Sequence, residues 1–250
     1  MSKKQTSVSK RQELREQRQR KQRTRRWLTI GGVTLAALVL VGLLVLPSIQ
    51  QAAAPLGNII QITPRSLPSP QGTALGDPNA PVKVVVYEDF QCPICRNFTE
   101  TIEPQIIQND VVNGKVYYQF MQFPFIDDNV STKESHQAAN ASMCAAAQNK
   151  FWEYHDMLFA NWNGENQGSF TNKRLVAFAQ DLGLNMNEFN TCFQNNTYKD
   201  QINKDLAEGQ AAGVTGTPSI FVDGKIVQPS PNTVPSYSDI QKAIDAAMPK

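Results

Sequence analysis

The chain has 250 residues, with 24 Lys/Arg against 22 Asp/Glu, which is room for one good-sized domain plus appendages. The near balance hides a split: residues 1–26 carry 11 basic and 2 acidic side chains, so the tail stands at +9 and the remainder at −7. A mildly acidic folded part argues against nucleic-acid binding by the domain.

Residues 1–26 are rich in Lys, Arg and Gln and nearly free of apolar side chains. Such a segment cannot bury a core, and it is expected to be disordered or loosely helical beside a membrane. Residues 27–46 then run without a charge. At about 1.5 Å per residue this stretch spans about 30 Å, the thickness of a bilayer core. The basic tail in front of it predicts a cytoplasmic N-terminus and an outward-facing remainder. The apolar run is longer than the h-region of a signal peptide. Pro55 directly follows Ala52, Ala53 and Ala54, which argues against cleavage there, so an uncleaved signal anchor is expected. Residues 47–76 form a Pro-rich linker; seven prolines fall between Pro47 and Pro81, a semi-extended composition. A short edge strand is expected at 58–63.

The domain is expected over residues 77–250. Its first firm strand begins near Val82 in a run of β-branched residues. At its end stand Cys92, Pro93, Ile94 and Cys95, followed by a helical pattern from Arg96 to Gln108 with Phe98, Ile102, Ile106 and Ile107 on one face. Cys92 therefore opens a helix, where free N–H groups and the macrodipole favour an anion. A thiol so placed titrates low, and the thiolate is the species that attacks disulfides. Pro93 suits the first helical position. Cys92 reads as the nucleophile and Cys95 as the resolving thiol. Half a zinc site or two packed cysteines is the competing reading, but zinc needs two further ligands at close spacing and the strand-to-helix context favours a redox pair. Cys144 and Cys192 stand alone, and the only histidines are His136 and His155.

A second strand is expected over Gly114–Phe123. Helical periodicity then runs from about Thr132 to Gly213, carried by Ala138, Ala141, Phe151, Leu158, Leu175, Phe178 and Leu206 among others. This predicts an inserted helical subdomain over about 130–213. Cys144 and Cys192 both lie in it, and in an oxidising compartment two such cysteines are expected to pair as a structural disulfide; a second redox pair is the alternative. Gly213 to Thr217 form a Gly-containing turn before Pro218 and a short apolar strand, and Asp223-Gly224 is a two-residue hairpin signal. A helix from about Ser238 to Met248 closes the chain.

The two motifs together, Phe90-Gln91-Cys92-Pro93-Ile94-Cys95 and Gly216-Thr217-Pro218-Ser219-Ile220-Phe221-Val222-Asp223-Gly224, resemble the thioredoxin superfamily and in detail the DsbA-like thiol–disulfide oxidoreductases. The resemblance implies an α/β, thioredoxin-like fold with an inserted helical subdomain, here preceded by a transmembrane helix. It implies that Pro218 is cis and packs beside the redox pair, that Thr217 offers its backbone to an extended substrate, and that no cofactor or metal is required. It further implies reduced exported proteins as substrates and a membrane quinone-linked thiol oxidase as the reoxidising partner. The strongly oxidising relatives carry His between Pro and the second Cys. Ile94 stands there instead, which leaves an isomerase or reductase direction open.

Glu88 and Asp89 precede the pair. One of them is a candidate for proton transfer to Cys95; a satisfied strand-end carboxylate is the alternative. Phe90 and Phe98 read as core, and His136 and His155 as ordinary helix residues. Asn97, Asn129, Asn140 and Asn195 match the glycosylation pattern by chance in an Asn-rich chain. The expected function is an outward-facing, monomeric disulfide donor. A non-catalytic tethered binding or chaperone module is the reading from another class, and two intact thiols argue against it.

Overall fold

The structure is a computed structural model that describes residues 10–53, 56–129, 132–228 and 234–249. It divides into two units, Met1–Pro55 and Leu56–Lys250.

The first unit holds helix α1, Lys10–Ala53. Within it Arg18–Leu43 is long and apolar enough to cross a membrane, by length and composition. Trp27, Leu28, Val33 and Leu38 on it are exposed. The helix begins well before the uncharged run because Arg, Gln, Lys and Glu are good helix formers. It also continues through Pro47, so the linker starts later than the composition suggested.

The second unit is built on a five-stranded sheet in the order β1-β3-β2-β4-β5. The strands are β1 (Ala74–Leu75), β2 (Val82–Glu88), β3 (Val116–Gln122), β4 (Ser219–Val222) and β5 (Lys225–Ile226). Central β2 runs parallel to β3 and antiparallel to β4. Alternation along β2 sends Val82, Val84, Val86 and Glu88 to one face, all fully buried. Tyr87 goes to the other face, into a smaller cluster with Phe123, Val214 and Phe221. Asp223 and Gly224 join β4 to β5 with positive φ at both residues (46° and 73°), as a tight hairpin turn requires.

Helix α2 (Pro93–Thr101) leaves the end of β2. The single helix expected over Arg96–Gln108 is broken: α2 ends at Ile102, a short α3 (Glu103–Ile106) follows, and a π-turn runs through Ile107–Val111. Pro104 explains the break, since it has no N–H and its ring clashes with the carbonyl four residues back. Between β3 and β4 lie α4 (Glu134–Ala146), α5 (Phe151–Ala160), α6 (Asn172–Asp181), α7 (Met186–Gln194) and α8 (Lys199–Ala211). Cys144 on α4 and Cys192 on α7 are joined by a disulfide. Helix α8 lies so close to β3 that a Cβ at Gly209 would stand 2.8 Å from the Phe123 ring. Helix α9 (Tyr237–Ala247) starts at a Ser236–Asp239 capping box.

Residues 56–67 carry no regular secondary structure, no strand forms at 58–63, and 68–73 bend and turn into β1. This segment is docked on the helices. Asn161 Nδ2 donates to the Ile60 carbonyl at 2.9 Å and its Oδ1 accepts from Ile60 N–H at 2.8 Å. Ile59, Ile62 and Leu67 pack against the main core. A side chain that satisfies both backbone groups of one residue does what a neighbouring strand would otherwise do.

Candidate active site

Cys92 is the N-cap of α2 and Pro93 takes the first helical position. The Cys92 side of the turn is fixed by three bonds. Cys92 N–H donates to the Asp89 carbonyl at 2.9 Å, Gln91 N–H donates to Asp89 Oδ1 at 2.9 Å, and Arg96 N–H donates to the Cys92 carbonyl at 3.1 Å. Both cysteines carry free thiols. Cys92 is 5% exposed and Cys95 fully buried, whereas Ile94 between them is 46% exposed. The dipeptide thus bulges toward solvent while the sulfurs stay shielded.

Across the sulfurs lies the loop into β4. The Thr217–Pro218 peptide bond is cis, and Cys92 Sγ donates to the Thr217 carbonyl at 3.3 Å. The buried Thr217 hydroxyl has no partner in hydrogen-bond geometry, which leaves it free to serve the ionised sulfur. Beside this loop opens a cleft of about 710 Å³ lined by Ile94, Asn97, Thr215, Thr217, Pro218 and Val234 among others. It is apolar at Ile94 and Pro218 and offers backbone groups at 215–217, which suits an extended peptide.

The two thiols differ in their affinity for a proton. Cys92 is lowered from 9.0 to about 6: the Cys95 thiol contributes most, burial opposes, and Thr217 and the N–H groups of Cys95 and Ile94 lower it further. Cys95 is pushed well above the ordinary thiol value, first by burial and then by its own bond to Cys92 and the charge of Glu88. Glu88 is fully buried with neither carboxyl oxygen in a hydrogen bond. Burial raises it well above the usual carboxylate range, Glu103 and Cys92 add to that, and the facing Cys95 thiol pulls slightly the other way. Asp89 is raised to about 7, mainly by burial, but its oxygens are committed to Gln91 and Ile126 N–H. Of the two acids before the motif, Glu88 faces the thiols and Asp89 holds the loop.

A reduced-minus-oxidised absorbance titration at 240 nm is expected to show one thiolate forming with a midpoint near pH 6. The folded value lies below the unfolded one. The stabilisation it gives the reduced protein is therefore complete above about pH 9 and is lost as pH falls through about 6. Denaturant unfolding of the reduced and the oxidised protein at pH 5 and pH 8 tests the sign, the difference between the two forms cancelling the raised carboxyls Glu88 and Asp89. A reduced form that gains no stability relative to the oxidised one over that rise would refute the assignment to Cys92.

Gln91 carries more than its position before Cys92 suggested. It is fully buried. Its amide donates to Ser135 Oγ at 2.9 Å and to Asp127 Oδ1 at 3.2 Å, its Oε1 accepts from Asn166 N–H at 2.7 Å, and its carbonyl accepts from Trp162 Nε1 at 2.7 Å. The loop bearing Cys92 is thereby pinned to the inserted helices. The only sequence signal was a long polar side chain directly between Phe90 and the motif. The histidines lie elsewhere: His136 Nδ1 is 2.9 Å from Asp127 Oδ2, and His155 is buried among Phe90, Phe120, Trp152 and Phe159. Phe90 and Phe98 are core residues.

Two shielded thiols of opposite proton affinity at the head of a helix, facing a cis-proline loop on a parallel β-α-β frame, define a DsbA-like thiol–disulfide oxidoreductase. Residues 68–246 match the family model described as Thioredoxin, and the chain belongs to that family. It is 29% identical over 181 residues to the probable disulfide bond formation protein D of Bacillus cereus, covering 71% of this chain and 79% of that one. Among solved structures, oxidised BdbD from Bacillus subtilis superposes with a TM-score of 0.61 at 25% identity, covering 76% of this chain and 98% of that one. DsbA of Chlamydia trachomatis shares the fold, with a TM-score of 0.56 at 20% identity over 77% of this chain and 96% of that one.

Proposed function

We propose that this chain introduces disulfides into exported proteins through a Cys92–Cys95 dithiol/disulfide, on the outer side of a membrane crossed by α1. One observation carries the reading: the N-cap thiol bonded to the cis-proline loop is the one with low proton affinity, and the fully buried thiol beside it has high affinity. A substrate thiolate attacks Sγ of Cys92 in the enzyme disulfide, and Cys95 leaves. Glu88, whose burial favours the protonated carboxyl, stands where it can hand Cys95 a proton. A second substrate thiolate attacks the substrate sulfur of the mixed disulfide and releases Cys92 as a thiolate. Two electrons pass from substrate to enzyme. Thr217 and Pro218 position the substrate strand, and Pro93 and Ile94 shape the turn that presents Cys92.

The relatives' names, disulfide bond formation protein D and DsbA, support the donor direction. A quinone-linked membrane oxidase is the matching electron acceptor, with the basic tail on the cytoplasmic side, residues 47–76 as the tether and the domain acting as a monomer. One observation favours the opposite direction: Ile94 has no polar hydrogen to offer the thiolate. The equilibrium potential of the pair in the full chain, trapped in glutathione buffers, decides between them. A donor is expected between about −120 and −180 mV, and a value near about −270 mV would make it a reductant.

A further inference from the structure

Beneath the redox pair the domain buries more carboxylates than it has ordinary reasons to. Glu103 is fully buried at the start of α3, and its Oε1 has no hydrogen-bond partner. Glu88 is buried with both oxygens unpartnered, as is the hydroxyl of Tyr118, and the electrostatics of Tyr118 couple it to Glu103, Glu88, Arg65 and Cys95 together. One cation enters this group. Arg65 Nε and Nη2 form a fork on Asp156 at 2.7 and 2.5 Å, and Nη1 and Nη2 reach Glu103 Oε2 at 3.4 and 3.3 Å. His155 Nδ1 lies 3.0 Å from Asp156 Oδ1. Arg65 belongs to the docked segment, just before the residues 68–246 that match the family. The frame's buried acids are therefore neutralised by a residue from outside it.

We infer that Arg65 is a positioning residue for the redox pair: by pairing with Glu103 and Asp156 it keeps Glu103 ionised and so keeps the proton on Glu88, beneath Cys95. The inference rests on the thiol–disulfide reading above. Two buried carboxyls close enough to interact do not both ionise readily; the one with a cation beside it does, and the other keeps the proton. Arg65 lies at the Glu103 end, so the proton belongs to Glu88. Burial raises Glu103 above the ordinary carboxylate value, His155 and the Arg65 pair hold that rise down, and Glu103 is the first charge that opposes ionisation of Glu88. Cys92, Cys95 and Tyr118 are the other titratable groups about Glu88. Without the guanidinium, Glu103 takes up the proton, Glu88 ionises more readily, and its charge opposes the thiolate at Cys92.

The test is the 240 nm titration of Cys92 in the full chain, solubilised in detergent, with Arg65→Met, Arg65→Lys, Glu103→Gln and the Arg65→Met/Glu103→Gln pair. Arg65→Met is expected to raise the midpoint by about half a unit or more. Arg65→Lys keeps the charge and stays near wild type. In the Glu103→Gln background Arg65→Met adds no further shift, because its effect passes through Glu103. The carboxylic C=O stretch of Glu88, identified by its loss in Glu88→Gln, is expected to weaken at pH 7 in Arg65→Met. A folded Arg65→Met protein with an unmoved midpoint, or a shift that persists without Glu103, overturns the inference. If Arg65→Met does not fold, Glu103→Gln alone must raise the midpoint, and its failure to do so overturns it equally. A wild-type chain that exchanges no disulfides would instead overturn the function, whatever Arg65 does.

Discussion

Serine in place of Cys92 reduces disulfide transfer to the rate without enzyme. The reaction forms and breaks sulfur–sulfur bonds at this atom, and a hydroxyl can neither join a disulfide nor leave as a thiolate near neutral pH. The fold should tolerate the change, since a serine Oγ is close in size to Sγ and can donate to the Thr217 carbonyl as Cys92 Sγ does. Serine at Cys95 gives a different failure. Cys92 still attacks glutathione disulfide and releases one glutathione, but no thiol lies beside it to close the Cys92–Cys95 disulfide and release the other, so Cys92 accumulates as a mixed disulfide. Turnover of a reduced, unfolded protein with glutathione disulfide as oxidant, followed by mass spectrometry of the trapped species, reads both. A Cys92→Ser chain that keeps its full activity would mean that the frame serves binding alone.

The strand, the motif and the helix behind it were legible because they are local. A β-branched run, a Pro at a helix start and a thiol at an N-cap each follow from sequence spacing, and the Asp223-Gly224 turn is equally local. The cis bond at Pro218 was legible only through likeness, since nothing in the spacing of Gly216 to Ser219 distinguishes the isomers. The break after α2 was announced by Pro104 and was missed because the apolar stripe through Ile102, Ile106 and Ile107 reads straight across it. The harder losses are long-range. Glu103 lies within that stripe, and a charge inside an apolar face was a visible anomaly. Its partner Arg65 lies 38 residues before it, and Asp156, which shares that guanidinium, lies 53 after it; an isolated Arg in a Pro-rich segment carries no local mark. The same holds for the docking of residues 56–73: composition describes how stiff such a segment is, not what surface accepts it.

Replacing Cys144 and Cys192 with alanine is expected to cost about 4 kcal/mol of stability, since the bridge closes a loop with a sequence separation of 48 and an open chain regains that entropy on unfolding. For a domain of this size the thermal midpoint should fall by about 10 °C. The bridge ties α4 to α7. Helix α4 also holds the Cys92 loop through Ser135, which accepts from Gln91. Loosening α4 therefore weakens the mount of the active site when the domain is warmed, before it changes any chemistry at the sulfurs. At 25 °C the potential of the Cys92–Cys95 pair and its initial rate should stay within about twofold of wild type, because neither Cys144 nor Cys192 stands at a helix N-terminus where its thiolate would be stabilised. Thermal unfolding and glutathione titration of the same double variant separate the two roles. A stable protein with a lost turnover would make Cys144–Cys192 an electron relay; an unstable one with the same potential makes it a staple.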